Sequence, residues 1–217
     1  MPYDDYHNLR FERCQHGVLL ITIDRPEKLN ATDERLHSEL AGVWREVARD
    51  PDAEAVVVTG AGRAFSAGGD LEMVERMSGD YRRVAAMAGE AAELVLGMID
   101  CQVPIISAIN GTAVGAGLAV ALMADISVIG ESVRLTDGHL RLGVGRVLDE
   151  ALEIAGRIAA GPRQAARWTK RTLNHWLRVA VPAFDAGVAY EMLSFLGEDV
   201  REGASALRER REPRFED

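Results

Sequence analysis

"AVVVTGAGRAFSAGGDLEMV", residues 55–74, passes from a β-branched apolar run through a glycine-dense turn into a stretch that opens a helix. Ala55–Thr59 predicts a buried strand. The turn that follows contains no Cys, no His and no Lys, and its one serine is Ser66. A dinucleotide fingerprint needs glycine at the first, third and sixth positions, for the tight turn, the pyrophosphate approach and helix packing. Here Gly60 and Gly62 are followed by Phe65, and in a second turn, "NGTAVGAG" (110–117), Gly115 and Gly117 are followed by Val120. No GK[ST] phosphate loop occurs, and a GxSxG nucleophile elbow is broken because Ala64 precedes Ser66 by two. What remains is backbone chemistry. Gly68 and Gly69 lead into a helix at Leu71, so free N–H groups collect at a helix start where no side chain blocks a ligand oxygen. One such amide from each of two loops would form an oxyanion hole, in which a single donor stabilises a transition state by about 2.7–4 kcal/mol. The same glycines also have a purely structural reading, as tight turns and close helix contacts.

Outward from this turn the pattern repeats. "GVLLITIDRP" (17–26) predicts a strand ended by Pro26; Asn30 then caps a helix, with Asp33 reaching back, and Leu36, Leu40, Val43, Trp44 and Val47 recur at helical spacing. With Ala55–Thr59 this makes a strand–helix–strand crossover. Further along, the sequence predicts a helix over about 81–99, a strand at 105–109, a helix from about Gly117 to Met123, and strands at "DISVI" and "SVRLT". After Gly143 the chain reads as helices, with separate ones at "PRQAARWTKRTLNHWLR" and "PAFDAGVAYEMLSFLG". The class is α/β, with a core over 1–144 and a helical region over 145–217 that covers the site and mediates association. The small-residue turns gather at the carboxyl edge of a parallel sheet, where α/β proteins bind ligands.

Composition narrows the function. The 217 residues are 47% apolar, enough for one buried core, and the net charge of -9 excludes a general nucleic-acid binder, which needs a basic surface. A small polyanion still fits if a few Arg or Lys gather locally. Cys14 and Cys101 lack metal-ligand spacing, and the polar, acidic start of the chain is unlike a signal peptide; together they imply a cytosolic, reduced protein. Residues 101–124 carry no charge until Asp125, a length that suits a membrane span, but Pro104, Asn110 and the glycines divide the run into a buried strand, a turn and a small-residue helix.

Five motifs, "RPEKLNA" (25–31), "VVVTGAGRAFSAGGDL" (56–71), "INGTAVGAGLAVALMADI" (109–126), "LTDGHLRLGV" (135–144) and "EDVREGASALRERREPRF" (198–215), stand in an order that resembles the crotonase, or enoyl-CoA hydratase/isomerase, superfamily. The resemblance implies a spiral of strand–strand–helix repeats with a trailing helical region, assembled as trimers or dimers of trimers. It implies an acyl-CoA thioester substrate whose carbonyl is polarised so that an enolate forms, with coenzyme A entering as part of the substrate and no tightly bound cofactor. By motif position the hole amides are those of Gly69 and Ala116. Gly68, Gly115 and Leu71 flank them, the main chain of Ala64, Ser66 and Ala67 lines the adenine and pantetheine path, and Arg25 and Lys28 approach the CoA phosphates. Asp70 is a turn and helix-start residue beside the substrate path.

The resemblance is incomplete at two places. A family hydratase carries two glutamates; the first aligned position is Ala119 and the second falls near His139, which leaves Asp137 and His139 as the local acid/base candidates. A catalytically silent family member that binds CoA, or a crotonase-type hydrolase of β-diketones that does not use CoA, are the alternative readings. The second departure is length: "GVGRVLDEAL" (143–152) joins two motifs that the family separates by a few tens of residues, and the expectation is that a segment near Gly145 is missing from the sequence as read.

Overall fold

The computed structural model describes residues 3–130, 133, 147–209 and 211–214. The strand expected at "SVRLT", except Val133, lies outside these residues, as do Asp137, His139 and the junction at Gly145. Among the described residues the strands are β1 (Leu9–Arg13), β2 (Val18–Ile23), β3 (Ala55–Gly60), β4 (Ala64–Ser66), β5 (Ile105–Ile109), β6 (Thr112–Ala113) and β7 (Ile126–Ile129). The helices are α1 (Glu34–Arg49), α2 (Leu71–Met77), α3 (Tyr81–Asp100), α4 (Gly115–Met123), α5 (Val147–Ala159), α6 (Arg163–Leu196) and α7 (Glu198–Glu209).

The main sheet has the order β1-β2-β3-β5-β7, with β1 antiparallel to β2 and the other pairs parallel. Its centre is covered on both faces, which is why β2 and β3 read as unbroken apolar runs instead of alternating ones. Leu19, Ile21, Val56, Val58 and Ile105 point into the core shared with α1, α3 and α4; Val18, Leu20, Val57 and Ile106 point the other way, against Ala151 and Ala155 of α5. A second, two-stranded parallel sheet pairs β4 with β6. The molecule is thus a mixed α/β fold on a mostly parallel sheet with a helical C-terminal region. Among the described residues no helix is long and apolar enough to cross a membrane; the uncharged 101–124 run is the buried β5, β6 and α4.

Three local expectations change. The cap of α1 is Asp33, whose Oδ1 accepts the Leu36 N–H at 2.8 Å, and not Asn30, which sits in the left-handed region at φ 57° with its side chain fully buried. Helix α4 starts at Gly115, two residues earlier than the apolar periodicity suggests. Pro182, expected to divide two helices, lies inside the 34-residue α6. A proline inside a helix forfeits one ladder bond and costs about 3 kcal/mol. The long-range attachments of α6 offset that cost: Lys170 Nζ donates to the Val103 carbonyl at 3.0 Å and pairs with Asp125 at 2.9 Å, and Asn174 Nδ2 donates to the Ile99 carbonyl at 2.9 Å.

Candidate active site

The loops that follow β2, β3 and β5 leave the same edge of the sheet, and two asparagines join them. Buried Asn30 donates from Nδ2 to the carbonyls of Ala61 (2.9 Å) and Ala64 (2.8 Å), while its Oδ1 accepts the Arg25 N–H at 2.9 Å. Asn110 does the same for the next pair of loops: Nδ2 donates to the Gly60 and Gly62 carbonyls and Oδ1 accepts the Gly60 N–H. Ser66 Oγ donates to the Asn30 carbonyl at 2.8 Å from a fully buried position. Each asparagine replaces, with its amide, the main-chain pairing that a sheet-edge loop would otherwise lack. The three loops are held as one rigid rim.

The rim aims the backbone. Thr32 bridges to the 68–70 segment in parallel fashion: its N–H donates to the Gly68 carbonyl at 2.7 Å, and the Asp70 N–H donates to its carbonyl at 2.8 Å. That pattern uses the peptide groups on either side of Gly69, so the N–H of Gly69 itself faces away from Thr32, as alternate residues of an extended strand do. On that side lies the start of α4. A Cβ built on Gly115 (φ 55°) would fall 3.8 Å from the Gly69 nitrogen, and one on Gly117 would fall 2.3 Å from Ser66 Cβ, so the helix approaches β4 closely only because residue 117 is glycine. The first N–H groups of a helix have no partner within it. Among the described hydrogen bonds, neither the Gly69 nor the Ala116 N–H has an acceptor.

Both residues border one cavity of about 640 Å³, with Thr32, His37, Val114, Gly115 and Ala119 among the neighbours. Its walls are otherwise apolar, from Met73 (α2), Ala88 and Leu94 (α3), Leu118 (α4), and Phe184 and Phe195 (α6). Ala119 presents a methyl group to the cavity, and among the described lining residues there is no carboxylate. The polar side chains among the described lining residues are Thr32 and His37. Thr32 Oγ1 is buried and has no hydrogen-bond partner. His37, 4% exposed on α1, has its Nδ1 2.7 Å from Oε2 of Glu90 on α3. Neither was legible as a site residue. His37 does share helical spacing with Leu40, Ala41 and Trp44, which marks it as inward-facing, but its partner is 53 residues away in sequence.

The charged and main-chain groups expected along the CoA path are placed as follows. Arg25 is largely buried; its guanidinium pairs with Asp33 at 3.1 Å and Asp70 at 3.5 Å and donates to the Ala31 carbonyl. Lys28 is half exposed, with Glu72 at 4.0 Å as its nearest ion-pair partner. Asp70 caps α2, accepting the Glu72 N–H at 3.1 Å ahead of Leu71, the first helical residue. The Ala64 carbonyl accepts from Asn30, the Ser66 carbonyl accepts from Val114, and the Ala67 N–H donates to Leu29, so these groups serve the rim itself.

The profile of the family described as Enoyl-CoA hydratase/isomerase matches residues 13–146, more than half of the chain. The chain belongs to the enoyl-CoA hydratase/isomerase family. It is 36% identical over 127 residues to probable enoyl-CoA hydratase EchA14 of Mycobacterium tuberculosis, an alignment that takes in 58% of this chain and 49% of that one. The chain thus spans about half the length of that relative. A solved enoyl-CoA hydratase/isomerase from Mycobacterium paratuberculosis superposes with a TM-score of 0.85 at 31% identity, covering 94% of this chain and 99% of its own. Against probable enoyl-CoA hydratase EchA8 of Mycobacterium bovis the identity is 27% over 263 positions, with 97% of this chain and 98% of the relative included. That alignment is longer than the 217 residues available, so it opens gaps in this chain. The expected break near Gly145 falls among residues 134–146, outside those described.

Proposed function

We propose that this family member binds an acyl-CoA thioester and stabilises its enolate through the N–H groups of Gly69 and Ala116. The observation that carries the reading is that these two residues, on separate loops, border the same apolar cavity and that their N–H groups have no acceptor among the described residues. Charge developing on a thioester oxygen between them would be met by dipoles already in place, in surroundings where water competes poorly. The walls suit an acyl chain, and the substrate's CoA would leave over the 61–67 loop, with half-exposed Lys28 a cation available for its phosphates. Hydration, double-bond isomerisation and carbon–carbon cleavage of a β-dicarbonyl thioester all pass through such an enolate. Asp137 and His139 remain candidates to serve it.

A panel of saturated and β-oxo acyl-CoAs in deuterated water tests this directly. The expected outcome is enzyme-dependent loss of α-protons, followed by NMR; absence of exchange with every thioester bound contradicts an enolate mechanism. A second reading is favoured by Ala119: a protein that holds CoA thioesters without turning them over. The same experiment separates the two, because that protein would bind and not exchange.

A further inference from the structure

The cavity lacks the usual carboxylate at Ala119, yet it contains an ionisable pair that the family resemblance does not assign. We propose that His37, oriented by Glu90, is the proton-transfer group of this cavity, an inference that rests on the enolate reading above.

The geometry is that of an oriented base. Glu90 Oε2 lies 2.7 Å from Nδ1, and a carboxylate can only accept, so Nδ1 carries a hydrogen, and in the neutral imidazole Nε2 then carries the lone pair. Nε2 has no hydrogen-bond partner among the described residues, and the residue lines the cavity. One ring nitrogen is held by Glu90, and the other has no partner among the described residues. The ring borders both the large cavity, with Gly69 and Ala116, and a smaller one of about 140 Å³, with Glu34, Arg83 and Glu90. Met73 lines both; its methyl would lie 3.6 Å from a Cβ on Gly69, so a single side chain bridges the amide and the imidazole's surroundings. The unpartnered Thr32 hydroxyl, on the residue paired with Gly69, adds a third polar atom to the same end of the cavity.

In the step assigned to it, Nε2 takes a proton from the carbon next to the thioester carbonyl. The C–H electron pair becomes the carbon–carbon double bond of the enolate, and the carbonyl π pair moves onto the oxygen facing Gly69 and Ala116. Glu90 stabilises the imidazolium so formed, and the reverse transfer from Nε2–H delivers a proton to carbon. No oxidant or reductant is involved.

The test uses the full chain with butyryl-CoA and phenylacetyl-CoA, measuring Kd by calorimetry and α-proton exchange in deuterated water by NMR. His37→Gln is expected to keep the wild-type Kd and to exchange about 10²–10⁴-fold more slowly. His37→Ala is expected to regain part of the rate with added imidazole, which a packing role would not produce. Glu90→Gln, at a partly exposed position that folding tolerates, is expected to show a smaller loss, again at unchanged Kd. Exchange at the wild-type rate by His37→Gln or by Glu90→Gln overturns the dyad and leaves the amide pair standing. Wild-type protein that binds neither thioester overturns the enolate reading, and the dyad with it.

Discussion

Asn30 shows how one residue shapes a site that it does not enter. Its amide meets three backbone groups from two loops while its own backbone adopts φ 57°, a conformation that asparagine accepts at lower cost than most residues. Replacing it by alanine strands two carbonyls and an N–H in a buried rim; we expect Asn30→Ala to lower stability by about 3 kcal/mol, read as a fall in Tm of roughly 6–12 °C. A Tm within 2 °C of wild type, on the order of 1 kcal/mol or less, would contradict the stapling role. The sequence shows that a helix begins after residue 30, but Asn30 and Asp33 are equally good caps by composition, and only the register of the first turn selects Asp33. The same limit hid His37. A buried histidine is recognised by its partner, and Glu90 reaches it only once α1 and α3 have packed.

At the scale of elements, the strands and the glycine turns were readable because their causes are local. Continuous apolar runs signal β2, β3 and β5 covered on both faces, Gly68 (φ 90°) and Gly115 (φ 55°) take left-handed backbone, and at Gly117 a Cβ would fall 2.3 Å from Ser66 Cβ. Helix α6 was not readable, because Pro182 signals a break that tertiary attachments override. Chief among these is Lys170, 5% exposed, whose ammonium meets Asp125 and the Val103 carbonyl at the ends of β5 and β7. Removing it leaves the Asp125 carboxylate with the Ile105 N–H as its one remaining partner among the described residues. Lys170→Ala is therefore expected to destabilise the protein by about 2–3 kcal/mol in a urea titration and to raise amide exchange selectively in α6. Unchanged protection of α6 in that variant would show that the helix is held by its apolar contacts alone.

At the scale of the whole molecule, a rigid rim of three loops, a helix start and an apolar wall from α3, α4 and α6 enclose one space, and the account places a polarised carbonyl within it. Much of this follows from motif order, since each loop motif identifies a sheet-edge position; the wall does not, because its residues come from helices joined only by tertiary packing. The central claim, that Gly69 and Ala116 donate to one oxygen, is tested most directly by the carbonyl stretch of a ¹³C-labelled thioester in the bound state. The account predicts a shift to lower frequency on binding to wild type, and loss of that shift in Ala116→Pro, which removes one N–H in the first helical turn, where proline is tolerated. A bound carbonyl that absorbs at its solution frequency, or a shift that survives in Ala116→Pro, would contradict it.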